Sequence, residues 1–442
     1  MGLTGLDLPR IRTKIPGPKS RILARRLLRY ECPNITGSSP IFWETAKGAN
    51  VMDVDRNLYI DLSGGFGVAN SGHANPRSIR ALVQQAYKLP HTLGDVHPAK
   101  IKVELLQTLS EICPNPLKKT LLASSGSEAV EIALKTALLA TGKPGVIVFD
   151  GAYHGLTYGV LGATSMLDFE LPFQTQLSKH TFRLPFPVSY LNPIPEEKVL
   201  SKIKSLIRHR SIGAVLIEPI QGRGGIRIAP TTFLKSLRQI CNENKVLLIA
   251  DEVFSGFGRT GKFFAFQHSG IVPDLVTIGK GFSGGFPISG CIGTSKVMDA
   301  WPRHHGEALH TSTFLGNPMG CAMALASIQE IRGKRLVERA KNKGEKFLEK
   351  FKTLQQRYSS IGNVRGAGLM IGIEIVKGSK KKEADPLKAR TLSAFSLKKG
   401  IILLADGIRG NVLSITPSLT ITEKQLNYFV QIIQECLKSL KN

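Results

Sequence analysis

The sequence predicts an α/β protein: a large domain with a mainly parallel, doubly wound sheet, and a smaller α+β lobe formed from both termini. Short apolar runs alternate with helical patterns through the middle of the chain, which is typical of a parallel sheet covered by helices on both faces. The chain of 442 residues is also too long for one ordinary hydrophobic core. We expect an N-terminal arm and part of the small lobe at residues 1–75, the large domain at 76–322, and the rest of the small lobe at 323–442.

The elements of the large domain are predicted from apolar periodicity and turn residues. An N-terminal helix around Ser20 to Tyr30 precedes a β-hairpin within 49–62, and a helical pattern covers 76–113 with a break at Pro90. Five strands come next, at Lys119–Ala123, Val146–Phe149, Ala214–Ile217, Val246–Ala250 and Leu275–Ile278. Between the first two lies the clearest helix, Ser127–Ala140, whose apolar residues share one face.

The C-terminal part has the mixed pattern expected of the small lobe. A helical pattern runs from Pro318 to about Tyr358. Three strand-like segments follow, at Leu369–Val376, Ile401–Leu404 and Val412–Ile415. A last helix is predicted from Thr422 to Leu440, because Thr422 and Gln425 suit a capping box.

The composition is that of an ordinary globular enzyme, with 42% hydrophobic and 21% charged residues. The apolar runs are too short for a transmembrane helix, so we expect no membrane partner. The net charge of +26 comes from dispersed basic residues without a nucleic-acid motif, so we expect no nucleic-acid partner either. Six scattered cysteines without a Cys-x-x-Cys pair indicate reduced thiols in a cytoplasmic protein, and no metal site is predicted.

Ser125, Gly126 and Ser127 connect a predicted strand to a predicted helix. The N-terminus of a helix has free N–H groups and a positive dipole end, and a glycine there lets an anion approach closely. The segment therefore suits a phosphate-binding loop. A plain serine N-cap explains the same residues equally well.

Three further side chains follow predicted strands. Tyr153 could stack on a flat ligand, although core packing is the commoner role of such an aromatic. Asp251 needs a cationic partner if it is buried, and either a protonated pyridine nitrogen or a structural ion pair would serve. Lys280 comes directly after Leu275–Ile278 and Gly279, where desolvation would lower the pKa of its amine and make it nucleophilic. A solvated loop lysine is the commoner case.

A phosphate loop, a stacking aromatic, an acid for a ring nitrogen and a desolvated lysine are what an enzyme needs to hold pyridoxal phosphate. Wider motifs accompany these residues, at Ser125–Ala129, Tyr153–Gly155, Glu218–Gly222, Asp251–Val253, Gly256–Gly261, Gly279–Lys280 and Thr313–Pro318. With them, the sequence resembles the class III aminotransferases, which are fold-type-I pyridoxal-phosphate enzymes. The resemblance extends from about residue 20 to about residue 435.

The resemblance implies pyridoxal 5'-phosphate as the cofactor and a role for each matching residue. Lys280 would form the internal aldimine and then serve as the base for the 1,3-proton shift. Asp251 would pair with the pyridine nitrogen, with Val253 packed under the ring and Tyr153 over it. His154 also belongs to the implied cofactor site.

The resemblance further implies a homodimer whose active sites are shared across the interface. Gly126 and Ser127 would hold the phosphate within one subunit, while Thr313 would hold the phosphate of the cofactor bound by the partner subunit. Ser125 and Glu218 complete the implied cofactor-binding residues.

Three departures from the family pattern concern the substrate. Many members carry an arginine for the substrate carboxylate where this chain has Ser414, and a glutamate where it has Arg223. Members that act on distal carboxylates often have an arginine where this chain has Leu156, and a glutamine near the cofactor's phenolic oxygen is replaced by Phe254. We hypothesise that Arg223 supplies the missing carboxylate contact, since its planar fork suits a carboxylate. The alternative is that Arg223 points to solvent.

The predicted function is transfer of an amino group from an amine or amino acid to a keto acid. The alternative is a racemase, epimerase or aminomutase on the same scaffold, which the missing carboxylate arginine also fits. Decarboxylation and a non-enzymatic regulatory role are further possibilities on this fold. Leu156 and Phe254 place an apolar wall near the substrate and argue against short dicarboxylates.

Overall fold

The computed structural model describes residues 3–33, 40–187, 190, 193–302, 306, 308–378 and 383–439. The strands are β1 (Trp43–Lys47), β2 (Asn50–Asp53), β3 (Leu58–Asp61), β4 (Leu117–Ala123), β5 (Gly145–Phe149), β6 (Thr181–Leu184), β7 (Ile212–Ile217), β8 (Ile220–Gln221), β9 (Arg227–Ile228), β10 (Leu247–Asp251), β11 (Leu275–Ile278), β12 (Ser289–Thr294), β13 (Ile361–Ala367), β14 (Met370–Ile375), β15 (Ile401–Ile402), β16 (Leu404–Asp406) and β17 (Val412–Ile415).

Helices surround these strands. They are α1 (Pro18–Tyr30), α2 (Gly64–Gly67), α3 (Pro76–Lys88), α4 (Lys100–Ile112), α5 (Gly126–Thr141), α6 (Tyr158–Leu161), α7 (Leu167–Glu170), α8 (Glu196–His209), α9 (Thr231–Asn244), α10 (Ser295–Met298), α11 (Pro318–Gly333), α12 (Leu336–Arg357), α13 (Pro386–Lys398) and α14 (Glu423–Ser439). In the part of the chain that the structure covers, no helix is long and apolar enough to cross a membrane.

A seven-stranded sheet forms the centre of the large domain, in the order β4-β12-β11-β10-β7-β5-β6. Strands β6, β5, β7, β10 and β11 run parallel, and β12 runs antiparallel to both β11 and β4. The predicted α/β class with a mainly parallel sheet is therefore confirmed. Because the other six strands point the same way, their carboxyl ends meet at one edge, where such sheets bind ligands.

Helices cover both faces of this sheet, as predicted. On one face, α5 buries Val130, Ala133 and Ala137 in a cluster that includes Leu216 and Ile249 of the sheet. Helix α9 contributes to a second, larger cluster on the other face, and that cluster continues into the small lobe. The burial of apolar side chains on both faces fixes the sheet and hence the positions of the loops at its carboxyl edge.

The small lobe contains an antiparallel sheet in the order β13-β14-β17-β16. A second sheet, β1-β2-β3-β15, joins the two ends of the chain, because β15 pairs in parallel with β3. This pairing supports the proposal that both termini build the small lobe. The expected boundary after residue 322 lies inside α11, so we propose that α11 connects the two parts.

Several element predictions need correction. The segment Ile401–Leu404 divides into β15 and β16, because its two halves pair with different sheets. Strands β1, β6, β8, β9, β12 and β13 were not predicted, and in β12 the glycines Gly290 and Gly293 weaken the strand pattern. The last helix ends at Ser439 in the structure, and the predicted end at Leu440 lies outside the described residues.

Candidate active site

Asp251, the last residue of β10, is 4% exposed and accepts three hydrogen bonds. His154 Nδ1–H donates to Oδ2 at 2.7 Å, while the Thr277 hydroxyl and the Val253 N–H donate to Oδ1 at 2.9 Å and 3.0 Å. These donors come from the neighbouring strand β11 and from two loops at the carboxyl edge. The carboxylate is therefore fixed in one orientation, as charge-assisted hydrogen bonds require.

Lys280 follows β11 with a backbone φ of +46°, in the left-handed region that few residues other than glycine adopt. Its Nζ lies 4.1 Å from the centre of the Phe254 ring. Burial lowers the pKa of Lys280 to about 8, although the nearby carboxylates of Asp251 and Glu218 oppose this shift. About a tenth of the amine is thus neutral at pH 7, far more than for an unperturbed lysine, which favours its use as a nucleophile.

Glu218 follows β7 and joins two loops at the sheet edge. Its Oε1 accepts the Tyr153 N–H at 3.0 Å, and its Oε2 accepts the Gly222 N–H at 2.9 Å. Burial raises the pKa of Glu218 to about 7, while the neighbouring His154 acts in the opposite direction. The carboxyl group therefore ties the loop that carries Tyr153 to the turn that carries Arg223.

The N-terminus of α5 faces the same space. The Ser125 hydroxyl caps the helix by accepting the Glu128 N–H at 3.2 Å. Gly126 and Ser127 come first in the helix, so their N–H groups have no acceptor within it. A Cβ atom at Gly126 would lie 2.9 Å from Cγ1 of Val253, so only glycine lets the helix start so close to that side chain.

One cleft of about 520 Å³ brings most of the predicted residues together. Its lining includes Ser125, Gly126, Ser127, Tyr153, His154, Leu156, Glu218, Arg223, Asp251, Val253, Phe254 and Lys280. The structure does not bring Ser414 or Thr313 to this lining. Ser414 lies on β17 with its hydroxyl buried and without a hydrogen-bond partner among the described residues. Thr313 is exposed and lines a separate cleft of about 1250 Å³.

Arg223 is held at the cleft rather than directed into open solvent. Its side chain is one-third exposed, and its Nε lies 3.6 Å from Oδ1 of Asp406. The guanidinium carbon lies 5.2 Å from the centre of the Tyr153 ring and 5.9 Å from that of Phe169. Sequence reasoning missed Phe169 and Asp406, which have no motif and reach the site only through the fold.

The cleft suits pyridoxal phosphate by its own chemistry. A helix N-terminus with free N–H groups suits the phosphate, and the fixed carboxylate of Asp251 suits a protonated ring nitrogen. Among the described residues, the ion-pair partner of Asp251 is His154, so no lysine or arginine takes the place of that ring nitrogen. The buried amine of Lys280 suits the aldehyde. When bound, pyridoxal phosphate supplies an electron sink for the carbon next to an amino group.

Comparison with known proteins agrees with this geometry. A family profile described as aminotransferase class-III matches residues 34–437. The 5-aminovalerate aminotransferase of Pseudomonas putida is 39% identical over 91% of this chain and 94% of its own length. The 4-aminobutyrate aminotransferase of Escherichia coli is 36% identical over 91% of this chain and 94% of its own length. An alanine/serine racemase of Pyrococcus horikoshii is 32% identical over 98% of this chain and 93% of its own length.

Solved structures of transaminases share the fold. A crystal structure of an amine transaminase from an uncultivated Pseudomonas species, in its pyridoxal-phosphate-bound form, superposes with a TM-score of 0.86 at 25% identity. That superposition covers 93% of this chain and 98% of the other. Profile, relatives and fold agree over nearly the whole length, so this chain belongs to the class III aminotransferase family and is a pyridoxal-phosphate-dependent aminotransferase.

Proposed function

We propose that this enzyme transfers the amino group of a carboxylate-bearing donor to a keto acid, and that Arg223 binds the donor's carboxylate. The observation that carries the proposal is that Arg223 lines the same cleft as Lys280. Among the described residues of that lining, Arg223 is the only arginine. A carboxylate at Arg223 would thus orient the donor while its amino end reaches Lys280.

The chain's own residues would share the work of the reaction. Lys280 would bind the cofactor's aldehyde and then move a proton between donor and cofactor atoms, since its lowered pKa lets the amine both accept and release protons near neutral pH. Asp251 would hold the proton on the ring nitrogen. Val253 and Tyr153 would enclose the ring, and His154 would keep Asp251 oriented.

The phosphate would bind at the N-terminus of α5. Gly126 and Ser127 present N–H groups there, and Ser125 caps the helix. Glu218 would act by holding the loops on either side of the cofactor. The part of the cleft that the phosphate would enter is thereby shaped by backbone groups rather than by long flexible side chains.

The donor class that we propose is an amino acid with one carboxylate and an apolar chain. Leu156 and Phe254 contribute apolar surface to the cleft that holds Arg223. The relatives named for 5-aminovalerate and 4-aminobutyrate support an ω-amino acid of this kind. A second carboxylate would meet Leu156 rather than a cation, which disfavours dicarboxylates.

We also propose a cytoplasmic homodimer with shared active sites. Thr313 lies in an exposed cleft apart from Lys280 of its own chain, which supports a role toward the cofactor of a second subunit. All six cysteines are free thiols and five of them are buried, which supports a reducing compartment.

The test of the donor class compares 5-aminovalerate with n-pentylamine, which has the same carbon chain without the carboxylate. We expect Arg223→Met to lower kcat/KM for 5-aminovalerate about 30-fold, because a charge-assisted contact contributes about 2 kcal/mol. The value for n-pentylamine should change less than about twofold. Arg238→Met, which removes a partly buried arginine paired with Asp274 elsewhere, is the matched control. Equal losses for both donors, or none, would contradict the proposal.

The racemase alternative is tested without a keto acid. With 5-aminovalerate alone, an aminotransferase should lose the visible absorption of its bound cofactor in a single turnover. Loss of optical rotation from L-alanine with the absorption intact would instead support a racemase, the activity named for one relative.

A further inference from the structure

Two tight turns meet beside Arg223. One turn, Gly222–Gly225, belongs to the large domain, and the other begins at Gly407, directly after β16 of the small lobe. Gly225 and Gly407 have φ values of +101° and +90°. A Cβ atom at Gly225 would lie 3.2 Å from Cα of Gly407, and the reverse distance would be 3.4 Å. The backbones therefore touch, in a conformation that side chains rarely adopt.

This contact brings a carboxylate from the small lobe to the arginine of the large domain. Asp406, the last residue of β16, precedes Gly407, and its Oδ1 lies 3.6 Å from Nε of Arg223. The side chain of Asp406 is 19% exposed. Burial raises the pKa of Asp406, and the guanidinium of Arg223 opposes that shift. The two charges thus sit together in a partly buried place, where a lone carboxylate would be costly.

The guanidinium of Arg223 has contacts near its central carbon and near Nε. The rings of Tyr153 and Phe169 lie 5.2 Å and 5.9 Å from its central carbon. The closest approach of Asp406 is to Nε. That distance is too long for a hydrogen bond, and Nε has no such partner among the described residues. The Nη end, which carries two N–H donor groups, makes no hydrogen bond within the part of the chain that the structure describes, so it is left for a ligand.

We propose that Asp406 is a positioning residue: from the small lobe it holds the Nε side of Arg223 and leaves the Nη atoms for the donor's carboxylate. This inference rests on the proposed function, because it assigns to Asp406 the orientation of the arginine proposed there. Carboxylate recognition would then require both lobes, since the arginine and its orienting carboxylate come from different parts of the fold.

The test is Asp406→Asn in the holoenzyme, which removes the charge and keeps the shape. We expect KM for 5-aminovalerate to rise about tenfold with kcat within about twofold, because orientation of the donor is lost, while Asp406 has a smaller influence on the pKa of Lys280 than Asp251 and Glu218 have. The value of kcat/KM for n-pentylamine should change less than about twofold. Calorimetry with pentanoate, a carboxylate without an amino group, should show a Kd about tenfold higher than that of the wild type.

A control variant and a double variant show whether the effect of Asp406→Asn is specific to the contact with Arg223. Glu435→Gln removes another small-lobe carboxylate, one paired with Lys399 at 2.7 Å away from the cleft, and should leave all of these values unchanged. In the double variant Arg223→Met/Asp406→Asn, the second change should add no further loss, since Asp406 acts through Arg223.

An unchanged or lowered KM for 5-aminovalerate in Asp406→Asn would overturn the inference, because Asp406 would then be neutral or would compete with the donor for Arg223. A matching rise in KM for n-pentylamine would overturn it as well, since the effect would not concern the carboxylate. Failure of the proposed function is separate: there, Arg223→Met itself leaves the preference for 5-aminovalerate over n-pentylamine intact.

Discussion

The two walls of the cleft differ in how firmly their charged groups are held. On the wall formed by the central sheet, Asp251 accepts three hydrogen bonds of 2.7–3.0 Å. On a second wall of the cleft, Arg223 has an ion pair at 3.6 Å and an Nε without a hydrogen-bond partner in the described part of the chain. This difference fits the roles proposed for the two groups: a group that would hold one proton in one place is constrained from every side, whereas a group that would meet an incoming ligand keeps donors free.

The walls also differ in origin. Asp251 and its partners His154 and Thr277 all lie on or next to the strands of the central sheet. Arg223 depends on Phe169, in a short helix, and on Asp406, in the small lobe. We expect changes around Asp251 to affect the chemistry for every donor. We expect changes around Arg223 to affect the choice of donor.

The largest effect should come from Asp251→Asn. The amide keeps the size of the carboxylate, but it cannot hold a proton on the ring nitrogen, so kcat should fall on the order of 10³-fold for 5-aminovalerate and n-pentylamine alike. Cofactor content, measured by absorbance after denaturation, should stay close to that of the wild type.

The matched control for Asp251→Asn is Asp274→Asn. Asp274 lies just before the other end of β11, where it accepts from Arg238 at 2.7 Å and from the Leu248 N–H at 2.7 Å. This change should lower the unfolding temperature and leave the single-turnover rate within about twofold. If Asp251→Asn lowers kcat for one donor far more than for the other, Asp251 does not act on the chemistry of all donors alike, and the proposed difference between Asp251 and Arg223 is wrong.

A smaller effect concerns the pH dependence of cofactor attachment. Burial lowers the pKa of Lys280 to about 8, so the neutral, reactive form grows as the pH rises toward and past that value. We expect the rate at which cofactor-free enzyme takes up pyridoxal phosphate to rise about tenfold between pH 7 and pH 9 and then to level off. Stopped-flow absorbance measures this rate, and Lys280→Ala should abolish the signal.

Nα-acetyl-lysine provides the reference for that titration, because it reports the cofactor's own response to pH. Its unperturbed amine should react about 100-fold faster at pH 9 than at pH 7, with no levelling. A Lys280 rate that follows the free amine over this range would show that the amine is not desolvated.

The smallest effect should come from Ser414→Ala, because Ser414 lies on β17 outside the lining of the cleft. The Ser414 hydroxyl is buried without a hydrogen-bond partner among the described residues, so its removal should change the free energy of unfolding by less than about 1 kcal/mol. The value of kcat/KM for 5-aminovalerate should stay within about twofold. A loss of fivefold or more would show that Ser414 reaches the donor, as the position in the sequence suggests.

The sequence predicted the central sheet well because its strands are short apolar runs with clear ends. The five strands predicted between residues 119 and 278 are all present, with ends within two residues of the predicted ones. Two strands of this sheet, β6 and β12, were missed, the latter because glycines interrupt its apolar pattern. The residues proposed to hold the cofactor were predictable for the same reason as the sheet: each lies at the carboxyl end of a strand or within a few residues after it, so local sequence indicates its place.

The substrate wall could not be predicted to the same degree. Asp406 stands 183 residues after Arg223, and contacts between the two lobes, such as that of the two glycine turns, bring them together. Ser414 was predicted to face the substrate from its position in a motif, yet the structure buries its hydroxyl on β17 away from the cleft. The position of Asp406 beside Arg223 depends on how the small lobe packs against the large domain, and no local sequence pattern predicts that packing.

The pairing of β15 with β3 has a consequence for synthesis of the chain. The Ile60 N–H donates to Gly400 O at 2.9 Å and the Leu62 N–H donates to Ile402 O at 3.0 Å, so one edge of β3 is completed by residues made some 340 positions later. At about 5–20 residues per second, ribosomes need roughly 20–70 s to reach them. During that interval the nascent chain exposes an open strand edge, and the arm translated first cannot finish folding until almost the whole polypeptide has emerged.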